Sequence, residues 1–206
     1  MTDSYFWDRI ADKYAQKAVG NEDVYQQKLA RTRALLTPAS DVLEIGCGTG
    51  STALTLAPHA GKIRALDLSK RMLEIAQEKA RKQQIDNVIF EQSDVDQLAG
   101  ENETYDMILA HNILQLLDDK DKAIQQIHRL LKPGGMFISS TACLGAGFIW
   151  LWPILRIGSY FNRIPSVRFF TRRKLENAIT KAGFDIEENL KPGKMQAVFI
   201  IARKTA

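Results

Sequence analysis

Cysteine is nearly absent from this chain. Two in 206 residues exclude a disulfide framework and fit a reducing compartment. Histidine is as scarce, with His59, His111 and His128 only. None has a cysteine near it, so no metal site is expected. Long hydrophobic runs are missing too. The longest apolar stretch, 142–155, is too short to span a bilayer and contains two glycines and a proline. Met1-Thr2-Asp3-Ser4 has neither the basic start nor the apolar core of a signal peptide, so a cytoplasmic chain is expected. No repeat, low-complexity tract or linker is visible, and one domain over 1–206 is expected, with enough chain for a full core. Charge of one sign is not dominant: 28 Lys and Arg face 24 Asp and Glu, a net +4. That excess permits an anionic partner without demanding one.

The most informative residues are Glu44-Ile45-Gly46-Cys47-Gly48-Thr49-Gly50. Asp41-Val42-Leu43 before them reads as a buried parallel strand, and Ser51-Thr52-Ala53-Leu54-Thr55-Leu56-Ala57 after them reads as a helix. A strand, a tight glycine turn and a helix N-terminus let backbone approach a ligand closely. Dinucleotide folds use G-x-G-x-x-G here, with the third glycine packing helix on strand. In this chain the spacing is G-x-G-x-G, Ser51 stands where that third glycine would be, and Glu44 precedes the first glycine by two.

Further segments extend the pattern. Lys62-Ile63-Arg64-Ala65-Leu66 reads as a second strand ending at Asp67, about 20 residues on, where a ribose-binding carboxylate belongs in nucleotide folds. A third strand, 87–95, ends in Ser93-Asp94-Val95. A fourth, Tyr105-Asp106-Met107-Ile108-Leu109-Ala110, leads to His111-Asn112. Leu130-Leu131-Lys132-Pro133-Gly134-Gly135 forms a turn before a fifth strand, Met136-Phe137-Ile138-Ser139-Ser140. Helices alternate with these strands: Ser69 caps one with Met72, Ile75, Ala76 and Lys79 on one side, and Asp119 or Asp121 opens another through Leu131. Two helices come first, one capped by Ser4 and one by Asn21. Thr171 caps a last helix, and two closing strands, 184–190 and 195–202, pair as an antiparallel hairpin around Lys191-Pro192-Gly193-Lys194. The expected fold is α/β and Rossmann-like: a seven-stranded, mostly parallel sheet with helices on both faces and an antiparallel C-terminal hairpin.

The E-x-G-x-G-x-G turn, Asp67, the Ser93-Asp94 end, the L-K-P-G-G turn and the terminal hairpin together resemble class I S-adenosylmethionine (SAM) dependent methyltransferases, closest to the small-molecule, quinone and phospholipid group. The resemblance covers about 42–203. It implies SAM as methyl donor and S-adenosylhomocysteine (SAH) as product. By the same resemblance, Gly46, Cys47, Gly48 and Gly50 wrap the methionine portion and Glu44 fixes its ammonium. Asp67 binds the ribose hydroxyls, and Leu68 and Met72 flank the adenine. Asp94 accepts from the adenine amino group, Val95 reads the ring edge through its backbone, and Ala110 lines the methionine side. Plain core packing explains Leu68 and Met72 equally well, and a strand-end turn explains Asp94.

Trp7-Asp8-Arg9-Ile10-Ala11-Asp12-Lys13-Tyr14 resembles the W-D-x-x-A-x-x-Y lead-in of many small-molecule methyltransferases, in which the tyrosine covers the SAM carboxylate end. Residues 1–37 are therefore expected to form a helical lid. His111 is the one histidine near the expected reaction centre and is a candidate general base; a turn or packing role is the alternative. Residues 142–170 stand where this family inserts a substrate lid. Trp150, Trp152, Arg156, Arg163 and Arg168 within it suit an apolar acceptor with anionic groups, or peripheral contact with a membrane surface through 144–170. The Asn-Pro-Pro-aromatic motif of nucleic-acid amino-methyltransferases is missing after the fourth strand, so there is no clear nucleic-acid signal. The expected activity is methyl transfer to a small, apolar or lipid-like acceptor. A SAM- or SAH-binding regulatory or assembly protein without turnover is the alternative.

Overall fold

Asp41–Ile45 forms the first strand, β1, and every residue after Asp41 is buried. Alternation sends Leu43 and Ile45 into one core cluster and Val42 into another on the opposite face. Burial on both faces is why these strands read as nearly continuous apolar runs. In the computed structural model, which describes residues 4–17, 20–94, 102–143, 145, 165, 167–190 and 197–205, six further strands flank it. They are β2 (Lys62–Asp67), β3 (Val88–Gln92), β4 (Tyr105–His111), β5 (Leu131–Thr141), β6 (Phe184–Leu190) and β7 (Val198–Lys204). The sheet order is β3-β2-β1-β4-β5-β7-β6. Strands β3 through β5 run parallel, and β7 lies antiparallel to both β5 and β6.

The helices are α1 (Ser4–Gln16), α2 (Glu22–Arg33), α3 (Ser51–Leu56), α4 (Lys70–Gln83), α5 (Lys120–Leu130) and α6 (Arg172–Lys181). Their caps follow the sequence. Asn21 accepts from Val24 N, Ser69 from Met72 N, Asp119 from Asp121 N and Lys122 N, and Thr171 from Lys174 N. Ile124, Ile127 and Leu130 of α5 join Leu175 and Ile179 of α6 and Phe137 of β5 in one cluster. On the other face Leu29 of α2, Leu54 of α3 and Leu73 of α4 pack with Ala65, Leu109, Ile138 and Phe199. Among the described residues, no helix is long and apolar enough to cross a membrane.

Three boundaries differ from expectation. Ser4 is the first residue of α1 rather than its cap. The L-K-P-G-G residues do not precede β5 but lie inside it, as an irregularity where Tyr105 pairs with Leu131 and Met107 with Met136. Gly134 at φ +74° and Lys132, whose ammonium donates to Asp106 at 2.9 Å, hold that detour. The final strand spans Val198–Lys204, ending two residues beyond the expected 202, and residues 191–196, which hold the expected turn at 191–194 and the expected strand start at 195, lie outside the described residues. Phe199 to Arg203 take their register from the antiparallel partner β5.

Gly50 shows how tightly the first turn is packed. It caps α3 at φ +72°, and a Cβ there would lie 2.8 Å from Ala76 Cβ and 2.9 Å from Phe90 Cε1. Left-handed backbone and overpacking add for any other residue. Gly50→Ala is expected to destabilise the chain by about 2–4 kcal/mol, read as a lower urea midpoint by circular dichroism.

Candidate active site

Strand order reverses between β1 and β4, and a cleft opens beyond the carboxyl ends of those strands, the place where open parallel sheets receive ligands. The glycine turn forms its floor. Gly46, at φ +68°, has the Ile113 side chain 2.8 Å from where a Cβ would stand, so backbone and Ile113 close the floor between them. Above Gly48 the space is open until the Tyr14 ring, 4.0 Å away from that position.

Asp67, at the end of β2, anchors the turn. Its carboxylate accepts from Gly48 N at 2.7 Å and from Ser69 N at 2.9 Å. Burial pushes its pKa upward, against the hydrogen bonds from Ser69, Gly48 and Leu68. Trp7, Tyr14, Leu68, Met72 and Asp94 stand around it and line one chamber with Gly46 and Gly48. Helix α1 roofs this chamber because Asp8 Oδ1 accepts from Ser69 Oγ at 2.6 Å and from Arg71 N at 3.0 Å. The Trp7 and Tyr14 rings meet edge to face at 6.4 Å.

A second chamber, about 660 Å³ in volume, shares Tyr14, Gly46, Gly48, His111 and Asn112 with the first. Its further wall includes Tyr25, Lys28, Glu44, Cys47, Thr52 and Ser140. Glu44 is 2% exposed and its Oε2 has no hydrogen-bond partner. Burial raises its pKa to about 8; the Ala53 backbone hydrogen bond opposes the rise and the charge of Asp67 adds to it. His111 moves the other way, down to about 4, through burial and then the nearby Lys28 charge. Its imidazole is neutral at physiological pH. Burial also raises the Cys47 thiol well above its usual range, which leaves it protonated and unreactive.

The structure thus gathers Tyr14, Glu44, Gly46, Cys47, Gly48, Asp67, Leu68, Met72, Asp94 and His111 around one divided cavity. Met72 serves two functions, lining the cavity and packing with Ala11 and Ile75. Two of the named residues present no side-chain surface to the cavity. Ala110 is fully buried in the core cluster of Ile45, Ile108 and Phe137, because alternation turns its side chain away from the face of His111, so only its backbone is left for a ligand. Gly50 packs behind the turn, against Ala76 and Phe90. Val95 lies outside the described residues. His128 sits at the far end of the molecule, edge-on to Phe184 at 5.0 Å.

Sequence reasoning missed four contributors. Asp8 stood in the aromatic lead-in, but its bond to the cap residue of α4 is a tertiary contact. Lys79 Nζ reaches back to Thr49 O at 3.1 Å and Thr49 Oγ1 at 3.0 Å, pinning the turn; no local pattern signals that. Lys28 reads as one more exposed helix lysine. Asn112 adopts φ +55° at the cavity rim, and an asparagine directly after a strand end is a weak sign of such a turn.

Glu44 yields a pH prediction. Its folded-state pKa, about 8, lies above the ordinary 4.5, so the folded chain holds an extra proton between those values. Stability is therefore lost as pH rises through that window, at about 1.4 kcal/mol per unit. Glu44→Gln is expected to raise the stability of the ligand-free chain by about 2–4 kcal/mol at pH 8 and by much less at pH 5, measured as urea midpoints at both.

The profile of the family described as "Methyltransferase domain" matches residues 36–164, more than half of the chain. A ubiquinone biosynthesis O-methyltransferase of Coxiella burnetii is 29% identical over 125 residues, 60% of this chain and 52% of that protein. A demethylmenaquinone methyltransferase of Lactiplantibacillus plantarum is 30% identical over 141 residues, 63% of this chain and 58% of that protein. The chain therefore spans about half the length of the curated relatives it matches. Among solved structures, a geranyl diphosphate C-methyltransferase of Streptomyces coelicolor A3(2), in complex with Mg2+, geranyl diphosphate and S-adenosyl-L-homocysteine, superposes with a TM-score of 0.74. It shares 15% identity and covers 89% of this chain and 81% of that one; at that identity the likeness speaks for the fold alone. On the family match, together with the seven-stranded sheet and the glycine turn at its switch point, the chain belongs to the methyltransferase domain family, in its class I, S-adenosylmethionine-dependent branch.

Proposed function

We propose that this chain transfers a methyl group from S-adenosylmethionine to a small, apolar or lipid-like acceptor by in-line displacement, as one domain with a helical roof over residues 1–37. The observation that carries this reading is the divided cavity. A chamber built around Asp67 opens across Gly48 and His111 into a second chamber of about 660 Å³ whose wall includes Glu44, so the donor's amino-acid end would reach into it and the rest of its space would be left to an acceptor. A donor and an acceptor need such adjoining space.

The residues fit the donor. Glu44, buried with an unpartnered Oε2, has room for one more hydrogen bond and suits an ammonium group. Asp67 retains lone pairs beyond its backbone donors and would accept from ribose hydroxyls. Leu68 and Met72 would flank an adenine ring, and Asp94 would accept from its amino group. The cofactor supplies an activated methyl carbon on a sulfonium, so the protein's work is placement. Holding two reactants in line supplies roughly 7–11 kcal/mol of barrier reduction. Tyr14 and Trp7 cover the donor chamber and keep water out. His111, neutral at physiological pH, can hydrogen-bond an acceptor hydroxyl and take its proton late, as the oxygen's acidity rises in the transition state.

The acceptor class rests on the relatives, two of which are named for ubiquinone biosynthesis and demethylmenaquinone, and on the aromatic and basic residues between 144 and 170. Those residues lie almost entirely outside the described ones and enter here as sequence only. Changing Trp150 and Trp152 together to alanine is expected to lower turnover several-fold while leaving the SAM dissociation constant unchanged, the pattern of a substrate cover. Loss of sedimentation with anionic liposomes instead would assign the segment to a membrane surface.

Asp67→Ala tests the donor site. Losing a charged acceptor costs about 1.5–3 kcal/mol, and the turn that Asp67 holds is freed with it, so calorimetry should show SAM affinity at least tenfold weaker while circular dichroism still reports the folded sheet. Labelled methyl transfer into quinone, lipid and metabolite extracts tests turnover itself. SAM binding without any transfer would return the chain to a regulatory or assembly function.

A further inference from the structure

Away from the cavity, the charge of the molecule is unevenly spread. Residues 168–181 hold five cations, Arg168, Arg172, Arg173, Lys174 and Lys181, against one carboxylate, Glu176. That stretch alone carries +4, which is the excess of the whole chain, so the remainder is balanced. Within α6 the one acid is already taken: Glu176 pairs with Arg172 at 2.6 Å and is also held by Asn189 of β6. Lys174 and Lys181, seven residues apart on one stripe of the helix, have no ion pair among the described residues.

Those two lysines form one wall of a groove of about 640 Å³ between α6 and the start of α5. The other wall is acidic, with Asp118, Asp119 and Asp121, and Leu117, Phe170 and Ala178 lie between them. The groove shares only Leu117 with the chamber around Asp67 and nothing with the chamber beside Glu44. Its walls do not neutralise each other. Asp119 caps α5, Asp118 pairs with Arg168, and Asp121 pairs with Lys120. In those pairs Asp118 and Asp121 stay 49% and 62% exposed, and ion pairs so exposed exchange partners at little cost.

A two-fold interface sets one patch against itself, so every contact is made twice. A groove with one acidic and one basic wall suits that operation. Helix α6 is a wall of its own groove and also a ridge, and Ala178 and Ala182 leave room for a second ridge to lie close. When α6 of one copy enters the groove of another, its lysines meet the acidic wall, and symmetry supplies the reciprocal contact. An anionic membrane or an acidic protein would meet the same lysines but be repelled by the aspartates across the groove.

We infer that the α5–α6 groove is a homodimer interface, in which Lys174 and Lys181 of each copy pair with Asp118 and Asp121 of the other. Neither donor nor acceptor takes part in this contact, so it stands or falls apart from the methyl-transfer reading.

Sedimentation velocity of the whole chain at about 200 µM and low salt is expected to show a dimer. Raising salt to about 500 mM should weaken it at least tenfold by screening. Lys174→Glu with Lys181→Glu makes both walls acidic, and Asp118→Lys with Asp121→Lys makes both basic; Asp119 is left in place as the cap of α5. Each double variant alone should be monomeric. An equal mixture should form a heterodimer, because the acidic ridge of one meets the basic wall of the other in both directions, and that recovery shows both variants to be folded. A monomeric wild type at low salt overturns the interface. So does a dimer that survives either reversal, which would lie on another face, or a mixture that stays monomeric while both variants give native circular dichroism. Should either variant misfold, Lys174→Gln with Lys181→Gln decides: a dimer at least tenfold weaker than wild type supports the interface, and one as tight overturns it.

Discussion

The Asp67 carboxylate is the junction on which the site depends. One oxygen holds Gly48 N and the other Ser69 N, so a single side chain at the end of β2 fixes both the glycine turn after β1 and the start of α4. Ser69 passes the constraint on, since its hydroxyl bonds Asp8 while its oxygen caps Met72 N. Roof, floor and wall are thus joined through four residues. Charge-assisted hydrogen bonds of this kind are stronger than neutral ones, and here they are sheltered from water. The carboxylate expected to meet a ligand is also the one that shapes the ligand's seat.

The roof is held differently from the floor. Helix α1 buries only Phe6 and Ala11, and its outer tie, Arg71 to Asp12, is solvent-exposed and contributes little. The sheet beneath is buried on both faces. Ala11 of α1 sits in a small cluster of its own with Met72 and Ile75 of α4, apart from the two clusters that flank the sheet. Helix α2 rests on α3 through Tyr25 and Thr52, whose hydroxyls lie 3.5 Å apart, and through Leu29 in the core.

The sequence made the sheet legible because each strand had its own signal: apolar runs for β1, β2 and β4, a strand-end acid at Asp67 and Asp94, and a glycine turn at 46–50. Caps at Asn21, Ser69, Asp119 and Thr171 were equally local. What escaped was created by packing. Asp8, Lys28 and Lys79 each act on residues 30 to 112 positions away, and nothing in their immediate surroundings announces it. The direction of the Ala110 side chain was hidden for the same reason. At a strand end, inward and outward differ by one residue, and only the finished sheet decides which side chain faces the cavity. The irregular start of β5 escaped because a Pro-Gly-Gly run signals a turn, whereas here β4 pairs with Leu131 and Met136 on either side of it and the run lies in the irregularity between them.

Glu44 is a place where the fold accepts a loss. A buried carboxyl with an orphan oxygen is worth less to the folded chain than a leucine would be, and near neutral pH it draws on the narrow margin by which domains stay folded. A cationic group seated against it would reverse that loss, because whatever binds the native state alone shifts the balance toward it. Between synthesis and degradation, the empty chain then unfolds more often than the loaded one, and proteases act on the difference. Through one side chain, the amount of this protein in the cell would follow the supply of its ligand.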